Sequence, residues 1–249
     1  MTKHRKHPKR QNVRSALLLI TFLLFPVVMN FLSPYVIIDA AFHGIISGSF
    51  ILFGILFTSS LFVGRLWCGW VCPAAGLQEA AFAVNVRRVR KIDWLKWVIW
   101  VLWLGVIILG AIIAGGFSRV DPLYLTESGI SVDEPLKYIT YYLVLIVIFA
   151  LSIFVGRRAF CHSACWMAPF MILGRKVRNL LNTPALRLTS EPEKCIDCEK
   201  CNRVCSMSLD VNQMVRNSSM ENAECILCGK CIAACPKDVI HYAFKPGRS

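Results

Sequence analysis

Four long apolar runs occupy the first two thirds of the chain, covering roughly 15 to 35, 43 to 64, 94 to 117 and 137 to 156. About 20 helical residues are needed to cross the hydrocarbon core of a bilayer, and each run is long enough. Lipid leaves a single span no way to satisfy its backbone except as a helix. The pattern therefore predicts an all-α membrane bundle of four transmembrane helices.

The second and fourth runs end in the same way. Each closes with Phe-Val-Gly-Arg, at 62 to 65 and at 154 to 157, and each is followed by a Cys-x3-Cys pair, Cys68 with Cys72 and Cys161 with Cys165. This similarity predicts two repeated helix pairs related by an axis along the membrane normal. Equivalent residues then lie at the same depth, so the four thiols are expected to converge.

The apolar pattern stops near residue 184, where Pro184, Ser190 and Pro192 indicate a linker over roughly 184 to 194. We therefore predict three regions. A basic N-terminus covers 1–14, the transmembrane part with both cysteine pairs covers 15–183, and a small C-terminal domain covers 184–249.

The distribution of charged residues predicts how the chain is oriented in the membrane. The net charge is +13, but the basic residues punctuate the apolar runs rather than forming one patch, which argues against nucleic-acid binding. They lie before the first run, before the third and after the fourth, so the positive-inside rule predicts cytoplasmic N- and C-termini. We expect a multi-pass protein of a prokaryotic cytoplasmic (inner) membrane, in contact with lipid.

The twelve cysteines have the spacing of metal ligands. Two C-terminal runs each have three cysteines two residues apart and a fourth after three more, and in such runs the fourth ligand binds the other cluster. Zinc sites favour separated Cys-x2-Cys pairs instead. The runs predict a small α+β bacterial-type ferredoxin domain with two [4Fe-4S] clusters, the first held by Cys195, Cys198, Cys201 and Cys235 and the second by Cys225, Cys228, Cys231 and Cys205.

Three interpretations of Cys68, Cys72, Cys161 and Cys165 stay open. They form a further metal or cluster site, a redox-active thiol set, or plain reduced cysteines packed at helix ends. Pro73 directly follows the first pair and predicts the start of a helix there.

With these motifs, nearly the whole chain resembles the NapH/MauN type of membrane ferredoxin-like protein. These proteins are associated with periplasmic nitrate reductase and methylamine dehydrogenase systems. The resemblance implies quinol oxidation and electron delivery to partner redox proteins. One departure is Trp166, which stands where the family's second pair has proline.

The leading hypothesis is an iron–sulfur electron-transfer protein that links the quinone pool to a partner oxidoreductase, as the quinol dehydrogenase type of subunit. Alternatives are a maturation factor that reduces a metal or cofactor of another enzyme, and a redox sensor. The chain has no Cys-x-x-Cys-His haem motif and no dinucleotide-binding glycine fingerprint. A redox partner protein is therefore expected, and whether the chain is itself an enzyme is left open.

Overall fold

The computed structural model describes residues 8–89, 92–126 and 129–247. Residues 1–7 of the predicted basic N-terminus lie outside the described residues. Thirteen α-helices and four strands are found in the described parts of the chain. The helices are α1 (Pro8–Leu23), α2 (Phe25–Val28), α3 (Pro34–Phe42), α4 (Gly48–Val63), α5 (Leu66–Trp70), α6 (Pro73–Ala80), α7 (Leu95–Ile113), α8 (Pro135–Phe154), α9 (Ala159–Ser163), α10 (Met167–Leu180), α11 (Lys200–Val204), α12 (Val211–Arg216) and α13 (Lys230–Ala234). The strands are β1 (Ile45–Ser47), β2 (Arg119–Asp121), β3 (Ala185–Ser190) and β4 (Ile240–Lys245).

The predicted bundle of four transmembrane helices is wrong. The first apolar run is divided among α1, α2 and α3, because Pro26 and Pro34 each stand where a new helix begins. In the second run, Ile45–Ser47 form a strand, so α4 has only 16 residues. Among the described residues, only α7 and α8 are long and apolar enough to cross a membrane.

The helices α7 and α8 have mean hydropathies of 2.3 and 2.0, and 22% and 17% of their apolar windows are buried inside the protein. A core helix of a soluble domain would be mostly buried. Apolar side chains that face outward along a whole helix instead favour contact with lipid. These two helices support association with a membrane.

A short parallel sheet fixes the direction of the long helices. Strand β1 pairs with β2 in the register Ile45 with Arg119 and Ser47 with Asp121. Because α4 leaves this sheet and α7 arrives at it, the end of α4 and the start of α7 lie at the opposite end of the protein. Both Cys-x3-Cys pairs belong to that opposite end, since one follows α4 and the other follows α8.

The C-terminal part is a small α+β unit. Strands β3 and β4 pair antiparallel from Ala185 with Lys245 to Ser190 with Ile240, and α11 and α13 pack together. Most of the predicted linker is therefore a strand, because residues 185–190 pair with β4, which is distant in the sequence. One apolar core joins Leu188, Val215 and Ile232, while Ile226 and Met207 belong to the core of the helical part.

Candidate functional site

Each Cys-x3-Cys pair is built from a short helix and the start of a second one. Cys68 lies in α5, and Cys72 caps α6, which begins at Pro73 as the sequence predicts. Cys161 lies in α9. Cys165 lies two residues before α10, and Trp166 is the N-cap residue of that helix. The two pairs thus have the same local arrangement, while duplication of the helix pairs stays a prediction.

The structure brings the four cysteines together. Cys68, Cys72, Cys161 and Cys165 are all buried, and all line one cavity of about 100 Å³. No three of these four described cysteines have Sγ atoms that all lie within 4.8 Å of one another. A single tetrahedral ion at about 2.3 Å from each sulfur would hold the sulfurs only roughly 3.8 Å apart. We call this arrangement the four-cysteine pocket.

Positively charged side chains lie beside the four-cysteine pocket. Arg65 lines it and pairs with Glu224 at 2.7 Å, and Arg158 donates to the carbonyl of Cys68 at 2.7 Å and pairs with Glu79. Among the described side chains of these linked ion pairs, five cations meet three carboxylates. The cations are Arg14, Arg65, Lys96, Arg158 and Lys230, and the carboxylates are Glu79, Asp93 and Glu224. An excess of buried positive charge suits an anionic occupant such as a thiolate-bound metal centre.

The thiols themselves are hard to ionise without such an occupant. Burial raises the pKa of Cys72 well above its ordinary value, and the neighbouring thiolates raise it further. Burial likewise raises the pKa of Cys165 to about 12. Burial also raises the pKa of Cys68, and the charges of Arg65 and Arg158 offset part of this increase. The pocket therefore favours neutral thiols until a positive metal centre offsets burial.

A second cluster of metal-binding side chains lies beside the pocket. Ligand atoms of Asp93, His162 and Glu224 lie within 4.8 Å of one another. The buried ammonium of Lys96 already lies 2.6 Å from Glu224 and 3.2 Å from Asp93. Because that ammonium neutralises the carboxylates, these residues form an ion-pair network, and we assign no metal to them.

Seven of the eight ferredoxin cysteines fall into two groups. Cys205, from the first run, lines a cavity of about 30 Å³ together with the three closely spaced cysteines of the second run, Cys225, Cys228 and Cys231. Cys201 is influenced electrostatically by Cys198 and Cys235. Burial raises the pKa of Cys205 to about 12 and that of Cys201 to about 11. The exchange of the fourth ligand and ligation itself stay predictions.

The second ferredoxin run lies directly on the four-cysteine pocket. A Cβ at Gly69, next to Cys68, would stand 2.3 Å from the carbonyl oxygen of Ile226. Trp70 Nε1 donates to the carbonyl of Leu227 at 3.1 Å, and Gln11 Nε2 donates to that of Cys228 at 3.0 Å. The backbone of the second ferredoxin run therefore contacts the segment that carries Cys68 and Cys72. We call this contact the junction.

Sequence reasoning missed the charged residues of this site. It aligned Arg65 with Arg157 through the repeated Phe-Val-Gly-Arg, whereas Arg158 is the residue beside the pocket. Glu79 binds Arg14, Arg158 and Lys230 at once. One signal was available, because Glu79 is the single carboxylate between residues 65 and 92 in the printed sequence.

Two family models match the chain. A model described as a 4Fe-4S binding domain matches residues 46–92 and 139–184, which contain all four cysteines of the four-cysteine pocket. A model described as a 4Fe-4S dicluster domain matches residues 171–247. Both matches support binding of iron–sulfur clusters.

Relatives extend over most of the chain at low identity. An uncharacterized protein of Methanocaldococcus jannaschii is 27% identical over 91% of this chain and 95% of its own length. The methylamine utilization ferredoxin-type protein MauN of Methylobacillus flagellatus is 23% identical over 72% of this chain and 62% of its own length. The protein YccM of Escherichia coli, whose name records a proposed electron transport role, is 22% identical over 71% of this chain and 50% of its own length.

The chain thus spans about half to three fifths of the length of these two named relatives. No solved structure matches the chain. The names and the family models together confirm the resemblance stated from the motifs, and they support iron–sulfur electron transfer with redox partners.

Proposed function

We propose, from the premise that this chain is a ferredoxin-like protein of the NapH/MauN type, that it carries electrons between quinone in the membrane and a partner oxidoreductase. The observation that carries the proposal is the junction, where Gly69 beside the four-cysteine pocket meets Ile226 of the second ferredoxin run. At the junction, the four-cysteine pocket near the apolar helices is next to the second ferredoxin run. We infer that electrons pass from one to the other there.

Within the C-terminal region, 184–249 in the predicted division, we assign the eight ferredoxin cysteines to two [4Fe-4S] clusters as the spacing predicts. Such clusters, when bound, supply one-electron steps, and oxidation of a quinol releases two electrons and two protons. The first run supports an outlet to a partner, since Ile196 beside Cys195 is 55% exposed while Ile226 beside Cys225 is 2% exposed.

We assign the four-cysteine pocket to a third iron–sulfur cluster rather than to a single metal ion. No three of these described sulfurs all lie within 4.8 Å of one another, which supports this choice, because a cluster spreads its thiolates over several irons whereas one ion gathers them. Arg65, which lines the pocket, and Arg158, which donates to the carbonyl of Cys68, supply positive charge that favours a thiolate-bound cluster.

For the membrane, we propose that α7 and α8 cross the bilayer and that both cysteine sites lie on the cytoplasmic side. Arg87, Arg88 and Arg157 lie at the cysteine end, and the positive-inside rule places such residues in the cytoplasm. α8 returns the chain to the side from which α7 starts, so the C-terminus is cytoplasmic, and the hydrogen bond from Gln11 to the carbonyl of Cys228 supports the same side for the N-terminal helix. A protease-cleavage site inserted after Ser118 should be cut only from the periplasmic face, and cutting only from the cytoplasmic face would contradict this placement.

The function is tested by replacing Cys72 and Cys165 together with serine in protein purified without oxygen. Iron content should fall from about twelve to about eight atoms, if each of three sites holds a cubane. Dithionite should still reduce the two C-terminal clusters, while reduction by a soluble quinol analogue should be lost. Cys→Ser changes are small, so the fold is expected to survive.

The control is Ser163→Ala, a change between the cysteines of the second pair that removes no thiol. It should keep both the iron content and reduction by quinol. If the double variant exchanges electrons with quinol at the unaltered rate, the four thiols are structural and this assignment is wrong.

A further inference from the structure

A buried glutamine lies beside the four-cysteine pocket. Gln78 belongs to α6, the helix that begins directly after Cys72, and its side chain is fully buried. Its amide Nε2 donates to the sulfur of Cys161 at 3.2 Å and to the carbonyl of Ala74 at 3.0 Å. Gln78 therefore links the helix that follows the first cysteine pair to a thiol of the second pair.

The carbonyl of Ala74 determines which way the amide of Gln78 points. A carbonyl oxygen can only accept a hydrogen bond, so the NH₂ group of Gln78 has to face Ala74. That NH₂ group has two hydrogens, of which one goes to Ala74 and the other to the sulfur of Cys161. The sulfur is an acceptor in this contact, and a hydrogen bond donated to a sulfur favours its thiolate form.

Packing alone does not explain a glutamine at this position. Gln78 Oε1 is buried and has no hydrogen-bond partner in the described parts of the chain. A buried acceptor that is left unpaired costs free energy, whereas an apolar side chain of similar size would fill the same space without that cost. The bond that the amide donates to Cys161 explains the residue better.

Two other sulfurs of the pocket obtain hydrogen bonds from the backbone. The N–H of Ala75 bonds to Cys72 near the start of α6, and the N–H of Ala168 bonds to Cys165 near the start of α10. These backbone donors do not depend on the side chain of Gln78. A substitution of Gln78 therefore removes the donor of one sulfur and leaves these two bonds in place.

We propose that Gln78 is a positioning residue that acts through Cys161, and that its N–H···S hydrogen bond raises the reduction potential of the cluster in the four-cysteine pocket. The inference rests on the proposed function, which assigns a cluster to that pocket. Reduction adds one electron and makes the thiolate sulfurs richer in electrons, so a donor to a sulfur stabilises the reduced form more than the oxidised form. The amide keeps both of its hydrogens, and no bond to Gln78 is broken.

The test is a redox titration of the full-length protein, purified without oxygen and followed by electron paramagnetic resonance. The pocket cluster is the one whose signal is missing when Cys72 and Cys165 are both replaced by serine. Gln78→Leu and Gln78→Met each remove the N–H donor. The loss of one net hydrogen bond changes the reduction equilibrium about 2- to 13-fold, so the midpoint potential should fall by about 20–65 mV, at 59 mV for each factor of ten.

The matched control is Ser163→Ala, which also removes a buried polar group beside the second cysteine pair. The hydroxyl of Ser163 donates to the carbonyl of Ala159 at 2.8 Å. Its loss should leave the midpoint potential of the pocket cluster unchanged. The midpoints of the two C-terminal clusters should be unchanged in all of these variants.

An unchanged midpoint in both Gln78 variants overturns the inference. Loss of the pocket iron in both variants, or failure of both to fold, overturns it as well, because a single tuning hydrogen bond is not required for assembly. If the unaltered protein holds only about eight iron atoms and shows no third signal, the assignment of a cluster to the pocket fails, and the inference fails with it.

Discussion

Replacing Gly69 with alanine tests whether the junction is tightly packed. The added Cβ would stand 2.3 Å from the carbonyl oxygen of Ile226 and 3.4 Å from the backbone of Cys228. An ordinary contact begins near 3.4 Å, so the 226–228 segment must move by about 1 Å. Backbone cannot give way as a flexible side chain does, and overpacking of this kind typically costs about 1–3 kcal/mol.

We expect this loss of stability to make local opening of the second ferredoxin run more frequent. A loss of about 1–3 kcal/mol corresponds to roughly 5- to 150-fold faster amide hydrogen exchange. Exchange should accelerate in 226–231, where Leu227 and Cys228 accept hydrogen bonds from Trp70 and Gln11. Mass spectrometry of peptides from this segment measures the effect.

Gly105→Ala is the matched control, because a Cβ at Gly105 would meet no atom of the described residues within 4 Å. Alanine in an exposed helix interior should be neutral or stabilise the protein by up to about 1 kcal/mol. If Gly69→Ala exchanges at the same rate as the unaltered protein and Gly105→Ala, the junction is loose and the reasoning fails.

Three further predictions follow from the charges and the cysteine grouping. Glu79→Gln should lower the free energy of unfolding in denaturant by about 3–5 kcal/mol, since it leaves buried cations unpaired, whereas Glu193→Gln at the surface should change it little. The pKa values of Glu79 and Asp93 are lowered, that of Asp93 to about 2, because their cationic partners outweigh burial. Their contribution to the free energy of unfolding is therefore complete above about pH 5 and is lost as pH falls from about 4 towards 2. Denaturant midpoints should drop over this pH range, and they should drop less steeply in Glu79→Gln. Cys205→Ser should remove the electron paramagnetic resonance signal of one reduced cubane, that of the second cluster, and equal loss of both signals would contradict exchange of the fourth ligand.

Local rules predicted the chemical parts of the site well. The Cys-x3-Cys spacing and Pro73 follow from the chain alone, because a helix start depends on a few adjacent residues. The repeated end of each long run then gave the expectation that the four thiols converge, and all four do line one cavity.

The number of membrane-crossing helices was not predictable in the same way. Apolar length alone treated 15–35 as one span, although Pro26 and Pro34 divide it. Likewise 43–64 contains Ile45–Ser47, which pairs with residues over seventy positions away. A contact so distant in sequence leaves no local periodicity, and the linker at 184–194 was misread for the same reason.

Buried charge also explains why the ferredoxin part is held in place. Glu224 and Lys230 belong to that part, whereas their partners Arg65, Lys96 and Glu79 belong to the helical part. Separation of the two parts would leave Arg65 and Lys96, both fully buried, without their shared carboxylate, and each broken pair of this kind costs several kcal/mol. The junction is therefore expected to persist through turnover, and a soluble partner would approach the exposed first run rather than insert between the two parts.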